Sequence, residues 1–198
     1  MTTIRLANVT DAAGILDIYA PIIEQTSISF EMTPPTVAEM GERITTTLKQ
    51  YPYLVCEHEG RVAGYVYAGA FRKREAYQWS AEVSAYIHAD YRGQRMGTAL
   101  YTALFALLKA QGYYVLFAGA TLPNPGSARL HESMGFASVG VYHNTGYKFG
   151  AWHDVGWWEL QLQPPTDNPT PPTPIGDLPE DVLTLALEAG SNVLPASL

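Results

Sequence analysis

The sequence predicts an α/β fold, one central mixed sheet with helices packed on its faces. Two observations carry this. Strand-type and helix-type hydrophobic patterns alternate over residues 1–163 in the order β-α-α-β-β-β-α-β-α-β-β, with no internal repeat. At 198 residues and 47% hydrophobic content, the chain is long enough for one medium domain and apolar enough to fill its core.

Each element has a local reason. Thr3 to Leu6 reads as a short strand. Thr10 suits the cap of a helix with Ile15, Ile18, Tyr19, Ile22 and Ile23 on one face, and Pro21 predicts a kink in it. Thr36 and Glu39 have capping-box spacing ahead of a helix that turns Val37, Met40, Ile44 and Leu48 inward. Tyr53–His58 and Arg61–Ala70 read as a hairpin around Glu59-Gly60. Trp79–His88 is the next strand, followed by a glycine-containing turn and a helix over Gly97–Lys109 with Leu100, Leu104, Leu107 and Leu108. Tyr113–Ala118, a short helix near Gly126–Met134, Ala137–Tyr142 and Trp152–Leu162 complete the body.

The sequence divides into a body (1–163), a Pro-rich linker (164–178) and a C-terminal tail (179–198). Half of the fourteen prolines lie between Pro164 and Pro179, which predicts an extended, polyproline-like run. Beyond it, Asp177 and Glu180 have capping-box spacing. Val182 with Leu185, and Leu183 with Leu187, mark a short amphipathic helix. Docking on its own body, docking on a partner subunit, and a frayed tail all remain open.

Charge narrows the partners. The net charge is −7, but the last 35 residues hold five acids and no Lys or Arg, so the body carries 14 acids against 12 bases. Five bases (Arg72, Lys73, Arg74, Arg92 and Arg95) cluster within 24 residues. A near-neutral body with a local basic cluster suits a small anionic ligand and lacks the broad basic face a duplex nucleic acid needs. No apolar run approaches the roughly 18 residues of a membrane helix, and the N-terminus lacks a signal-peptide pattern. Cys56 is the lone cysteine and no Cys/His cluster has zinc spacing. A cytoplasmic, metal-free protein without membrane or nucleic-acid partners is expected.

The most informative stretch runs from Ala85 to Ala99, Ala-Tyr-Ile-His-Ala-Asp-Tyr-Arg-Gly-Gln-Arg-Met-Gly-Thr-Ala. A strand ends near Ile87, a turn holds Gly93 and Gly97, and an apolar helix starts at once. A helix start leaves about four backbone N–H groups unpaired, and with the dipole they attract an anion. Glycines let a phosphate approach the backbone, and Arg92 and Arg95 add charge. No Gly-Lys-Ser/Thr follows, so this is not a Walker A loop. The glycines also lack the Rossmann Gly-x-Gly-x-x-Gly spacing. An ordinary strand–turn–helix is the plainer alternative.

Gln94-Arg-Met-Gly97-Thr-Ala99 resembles the Gln/Arg-x-x-Gly-x-Gly/Ala pyrophosphate loop of the GNAT acyltransferases, and Ala85-Tyr86-Ile87 resembles the strand that pairs with pantetheine. Asn124-Pro-Gly-Ser127 and His131-Glu-Ser-Met-Gly135-Phe136 are similar to that superfamily's Asn-x-x-Ser…Tyr-Glu-x-x-Gly-Phe segment. Three further segments resemble the phosphinothricin N-acetyltransferase subfamily: Gly146 to Trp158, Ser29-Phe30-Glu31 and Arg72 to Tyr77. The likeness spans about residues 3–163 and does not reach the tail. It implies a GNAT fold with a mostly antiparallel mixed sheet, acetyl-CoA as co-substrate, and a homodimer. It also implies transfer to the α-amine of a small anionic amino acid such as phosphinothricin, methionine sulfoximine or sulfone, or an arsenic analogue, in detoxification.

Acetyl transfer to an amine requires a deprotonated amine, stabilisation of the carbonyl oxygen and departure of the thiolate. Glu82, mid-strand in apolar surroundings, should have a raised pKa and is the base candidate; the matching subfamily Glu is proposed in that role. His131 stands where many relatives carry Tyr, and an imidazole either gives or takes a proton. The resemblance implies cofactor contacts from Ala85, Tyr86, Ile87, Arg92, Gly93, Gln94, Arg95, Met96, Gly97, Thr98 and Asn124. It implies substrate contacts from Phe30, Glu31, Arg72, Arg74 and Glu82. On an extended backbone Arg72 and Arg74 share a side, which suits forked binding of two anions. Cys56 reads as packing, Trp157 and Trp158 as packing, and Asp154 as fixing a turn. Two other classes stay open. An acetyltransferase of peptide or protein N-termini would make little use of Arg72 and Arg74. A non-catalytic acyl-CoA sensor would bind coenzyme A without turnover.

Overall fold

A computed structural model describes residues 2–195. The elements are β1 (Thr2–Leu6), α1 (Ala12–Gln25), α2 (Val37–Thr47), β2 (Tyr53–His58), β3 (Arg61–Ala70), β4 (Ser80–Ile87) and α3 (Met96–Gln111). They continue with β5 (Val115–Thr121), α4 (Pro125–Ser133), β6 (Ala137–Lys148), β7 (Ala151–Gln161) and α5 (Glu180–Ser191). Their order up to β7 is the expected one. The seven strands form one sheet in the order β1-β2-β3-β4-β5-β7-β6, and β4–β5 is its single parallel pair.

Period-2 alternation along the strands gives the sheet two apolar faces. One face sends Leu54, Cys56, Val66, Ala81 and Val83 against Leu100, Leu104, Leu107 and Leu108 of α3. The other sends Tyr53, Val55 and Tyr65 against Ile15, Ile18 and Ile23 of α1 and Met40 and Ile44 of α2. Cys56 is fully buried, and burial pushes its thiol up to about 12, so it packs and does not react. The β2–β3 turn lies at Glu59-Gly60, both with positive φ (49° and 78°), the geometry of a two-residue hairpin loop.

Several local expectations are corrected. Asn8, not Thr10, caps the first helical segment: its Oδ1 accepts from the Thr10 N–H at 2.9 Å, and Asp11 accepts from the Asn8 N–H at 2.8 Å. Asp11 is held in turn by a two-pronged bond from Arg5 (2.8 and 2.7 Å). Pro21 lies within α1, which continues to Gln25. The Thr36–Glu39 capping box forms, but Val37 stays 54% exposed because the inward stripe is Met40, Gly41 and Ile44. β6 continues past Tyr142 to Lys148 through two register shifts. His143-Asn144-Thr145-Gly146 lies beyond the strand expected over Ala137–Tyr142. It is an irregularity in the strand instead, fixed where Asp154 accepts from His143 Nδ1 (2.9 Å) and the Asn144 N–H (2.8 Å). At the C-terminus the Asp177–Glu180 box is absent. Asp177 ends a single 3-10 turn, and α5 starts after Pro179 without a side-chain cap.

What positions the site is the junction of β4 and β5. They pair only at Ser80–Val115, Ala81–Leu116 and Glu82–Phe117, although β4 runs on to Ile87 and β5 to Thr121. Beyond Glu82 the two strands part, leaving their facing backbone edges unpaired with each other. The gap opens onto the start of α3 and the loop before α4.

Candidate active site

The groove below this gap has a volume of about 730 Å³. Ala85, Tyr86 and Ile87 of β4 form one wall, and Asn124, Ser127 and Leu130 of the α4 region form the other. Tyr91, Arg92, Gly93, Arg95 and the first residues of α3 close its end. Gly93 has φ +76° and open space where a Cβ would sit, while Arg95 adopts φ 62° immediately before α3. The first bond within α3 runs from the Ala99 N–H to the Arg95 carbonyl at 2.9 Å, so the N–H groups of Met96, Gly97 and Thr98 precede the helical ladder. Those donors, the dipole behind them and two arginines match a diphosphate. Asn124 caps α4, its Oδ1 accepting from the Ser127 N–H at 3.1 Å. Gln94 is not part of the lining: it donates to the Asp90 carbonyl at 3.1 Å and ties the loop to itself.

Glu82 is the last β4 residue paired to β5, at the head of the gap. Burial raises its pKa, partly offset by the charge of Arg72. Its cross-strand partner on β3 is Gly69, where an added Cβ would meet nothing within 4 Å. A free space therefore lies beside the carboxylate. Phe117, the β5 partner of Glu82, belongs to an aromatic cluster: Phe71 stacks on it with centroids 3.9 Å apart, and Trp157 meets Phe71 edge-on at 6.4 Å. Gly119 allows this, since a Cβ there would come within 3.2 Å of the Trp157 ring. Arg72 lies over the Phe71 ring, its guanidinium carbon 4.3 Å from the centroid, with the charge exposed.

Other expected site residues fall elsewhere. Arg72 and Arg74 do not share a strand side: β3 ends at Ala70, and Arg74 leads into a 3-10 turn at Glu75–Tyr77. Only Arg72 is close enough for Glu82 to feel its charge. Glu31 is already engaged, accepting from Tyr19 (2.9 Å) and from both prongs of Arg43 (2.7 and 3.0 Å), which hold its carboxyl below the usual range. Phe30 packs its ring on Gly146, where any Cβ would collide with it, and faces His153 with centroids 6.3 Å apart.

His131 is set apart from the groove. It is 5% exposed, on the inner side of α4 against Phe136 and Trp158. Its Nε2 lies 3.2 Å from the Tyr101 hydroxyl, and its Nδ1 is buried with no partner. Burial pushes its pKa down to about 4, so the ring is neutral at pH 7. The structure thus places His131, expected to assist proton transfer, in the packed interior behind α4, outside the lining of the groove.

Lys148 was unplaced in the sequence and has a definite structural task. The residue is 2% exposed, and its ammonium donates to the Ile23 carbonyl (2.6 Å) near the end of α1 and to the Ser29 carbonyl (2.7 Å). It thereby ties the α1–α2 loop, which carries Phe30 and Glu31, to the end of β6. Gly69 was also missed, although an isolated glycine within a strand is a signal of close approach.

Residues 4–157 match the acetyltransferase (GNAT) domain family. The phosphinothricin N-acetyltransferase of Streptomyces viridochromogenes is 38% identical over 172 residues, 87% of this chain and 92% of that one. The L-methionine sulfoximine/L-methionine sulfone acetyltransferase of Pseudomonas aeruginosa is 35% identical, covering 84% of this chain and 98% of its own. Among solved structures, a GNAT phosphinothricin acetyltransferase from Sinorhizobium meliloti in complex with AcCoA superposes with a TM-score of 0.80 at 35% identity. That match covers 88% of this chain and 98% of the other.

Two predictions concern stability. Lys148→Met leaves two carbonyls without their charged donor, and should cost about 2–4 kcal/mol in denaturant unfolding while speeding amide exchange over 26–36. Unchanged exchange there would contradict the tie. Because the Glu82 pKa is raised on folding, the stability linked to its proton is present at acid pH. That stability is lost as pH rises through the folded-state pKa. Glu82→Gln should therefore raise the melting temperature at pH 7.5 and have little effect near pH 4.

Proposed function

The chain belongs to the GNAT acetyltransferase family, and on that footing we propose that it transfers acetyl from acetyl-CoA to the α-amine of a small anionic amino acid. Phosphinothricin and the methionine sulfoximine and sulfone class are the acceptors we infer, in keeping with the names of its relatives. The reaction would inactivate inhibitors that mimic an anionic amino acid. The observation that carries this reading is Glu82, buried enough to have a raised pKa, at the head of the β4–β5 gap and beside the space that Gly69 leaves open.

The groove residues divide the work. The N–H groups at the start of α3, with Arg92 and Arg95, hold the diphosphate, and Asn124 and the edge of β4 hold the pantetheine arm. Acetyl-CoA supplies a thioester carbonyl whose carbon is open to attack by an amine. Glu82 takes one proton from the acceptor's ammonium, directly or through one water, which exposes the nitrogen lone pair. The nitrogen–carbon bond then forms as the carbon–sulfur bond breaks, and backbone N–H groups around Ala85–Ile87 stabilise the carbonyl oxygen. The nitrogen sheds its second proton as the amide forms, and that proton passes through water in the open groove to the departing thiolate, which leaves as the thiol. No covalent link to the enzyme is needed. Arg72 offers a guanidinium fork to the acceptor's anionic group, with Phe71, Phe117 and Trp157 excluding water around the carbon chain.

We also infer a cytoplasmic homodimer. Among the described residues no helix is long and apolar enough to cross a membrane. The β6–β7 hairpin exposes Val139, Val141, Tyr142, Tyr147, Phe149 and Trp152, an apolar surface on an edge strand that pairing with a second copy would cover.

The test is acetyl-CoA-dependent thiol release with phosphinothricin, methionine sulfoximine, methionine sulfone, glutamate and a short peptide. Turnover is expected on the glutamate analogues and not on the peptide. Glu82→Gln should lower kcat by about 10²–10³ and abolish the acid limb of kcat/KM, which in the wild type rises with pH as Glu82 ionises. Arg72→Ala should raise the acceptor KM about tenfold with kcat little changed. Gly69→Val should fill the acceptor space and remove turnover while coenzyme A still binds. Binding of acetyl-CoA without turnover on any amine would overturn the reading.

A further inference from the structure

The C-terminal segment lies beyond the family match over residues 4–157, yet it is fastened to α3 at both ends. Near the last turn of α3, Gln111 Nε2 donates to the Thr173 carbonyl (2.7 Å) and the Gln50 carbonyl (2.7 Å). The Thr173 N–H donates back to the Gln111 carbonyl (2.8 Å), and Gln50 Nε2 donates to the Pro172 carbonyl (3.2 Å). Upstream, Trp79 Nε1 donates to the Thr170 carbonyl (2.8 Å). The Pro-rich run is thus held along its length. Ile175, 4% exposed, then plugs into the core.

From there α5 runs back along α3 toward its beginning. Ala186 and Gly190 are its buried positions, and a Cβ placed on Gly190 would lie 2.6 Å from the Ala99 carbonyl oxygen and 2.8 Å from the Ala103 Cβ. Small residues on both helices allow their backbones to touch, and any side chain at Gly190 would push them apart. The contact falls at a sensitive place. Ala99 follows Met96, Gly97 and Thr98, the residues whose N–H groups end in the groove. On the opposite side Gly97 packs on Leu130 of α4, an added Cβ meeting it at 3.0 Å. The first turn of α3 is therefore gripped from two sides. A first turn lacks half of a helix's internal bonds and frays most easily.

We propose that α5 is a positioning element of the acetyl-CoA groove. Through Gly190 against Ala99, it keeps the first turn of α3 set for the diphosphate. The inference rests on the acetyl-CoA reading above. It assigns the C-terminal segment a task in substrate affinity beyond covering apolar surface.

The test uses the full chain with Gly190→Leu, and Ile44→Ala as a control that lowers stability from the far face of the sheet. Coenzyme A binding is measured by calorimetry well below each melting temperature, with the acceptor KM measured in parallel. Gly190→Leu should weaken coenzyme A binding about fivefold and leave the acceptor KM within about twofold. Ile44→Ala should lose a comparable melting temperature and bind coenzyme A as the wild type does. Should Gly190→Leu fail to fold, Gly190→Ala is read in the same way, with a smaller shift in the same direction. Wild-type affinity in a Gly190 variant that melts earlier would overturn the proposal and leave α5 a purely stabilising cover. Failure of the wild type itself to bind coenzyme A would overturn the function proposed above, and this inference with it.

Discussion

The parting of β4 from β5 after the Glu82–Phe117 pair is the constraint on which the rest of the molecule depends. A central sheet normally satisfies the backbone groups of adjacent strands with each other, and an unpaired interior edge is costly. Here the edge is left open at the middle of the sheet, and the surrounding elements keep it so. The core on the α3 side closes the sheet up to Glu82, and α1, α2 and the long β6–β7 hairpin hold the other face. The gap leaves backbone edges of β4 and β5 that a ligand with amide groups of its own could pair with, and Glu82 stands at its head.

The same junction explains why several residues at the site are locally unfavourable. Glu82 is an ionisable group in surroundings that raise its pKa, Gly69 leaves a space beside it, and Arg95 takes a positive φ before α3. Each departs from what would stabilise the fold most, and each serves an opening for ligands. Rigidity around them comes from elsewhere. Lys148 fastens the α1–α2 loop to β6, Arg43 and Tyr19 hold Glu31, and Asp154 fixes the irregular part of β6.

Much of this architecture was legible in the sequence because its signals are local. Capping at Thr36, the turn at Glu59-Gly60 and the leucine stripe of α3 all act within a few residues. The raised pKa of Glu82 was legible too, from a lone carboxylate in an apolar strand. What escaped depends on contacts between distant segments. His131 occupies the right place in a motif, but only the packing of Tyr101, Phe136 and Trp158 turns its ring inward. Glu31 looked free until α2 brought Arg43 to it, and the pairing of Arg72 with Arg74 failed because β3 stops at Ala70. The strand-like continuation of β6 through His143–Gly146 was hidden by turn-forming residues that a tertiary bond from Asp154 overrides.

The central claim is that Glu82 takes the acceptor's proton from its place at the head of the gap. The most direct measurement is an NMR titration of the Glu82 side-chain carboxyl carbon, overlaid on the pH dependence of kcat/KM for the preferred acceptor. The account predicts a Glu82 pKa above the ordinary glutamate range, coinciding with the acid limb of the rate profile. A Glu82 that titrates as an exposed glutamate, or an acid limb that follows a different pKa, would contradict it.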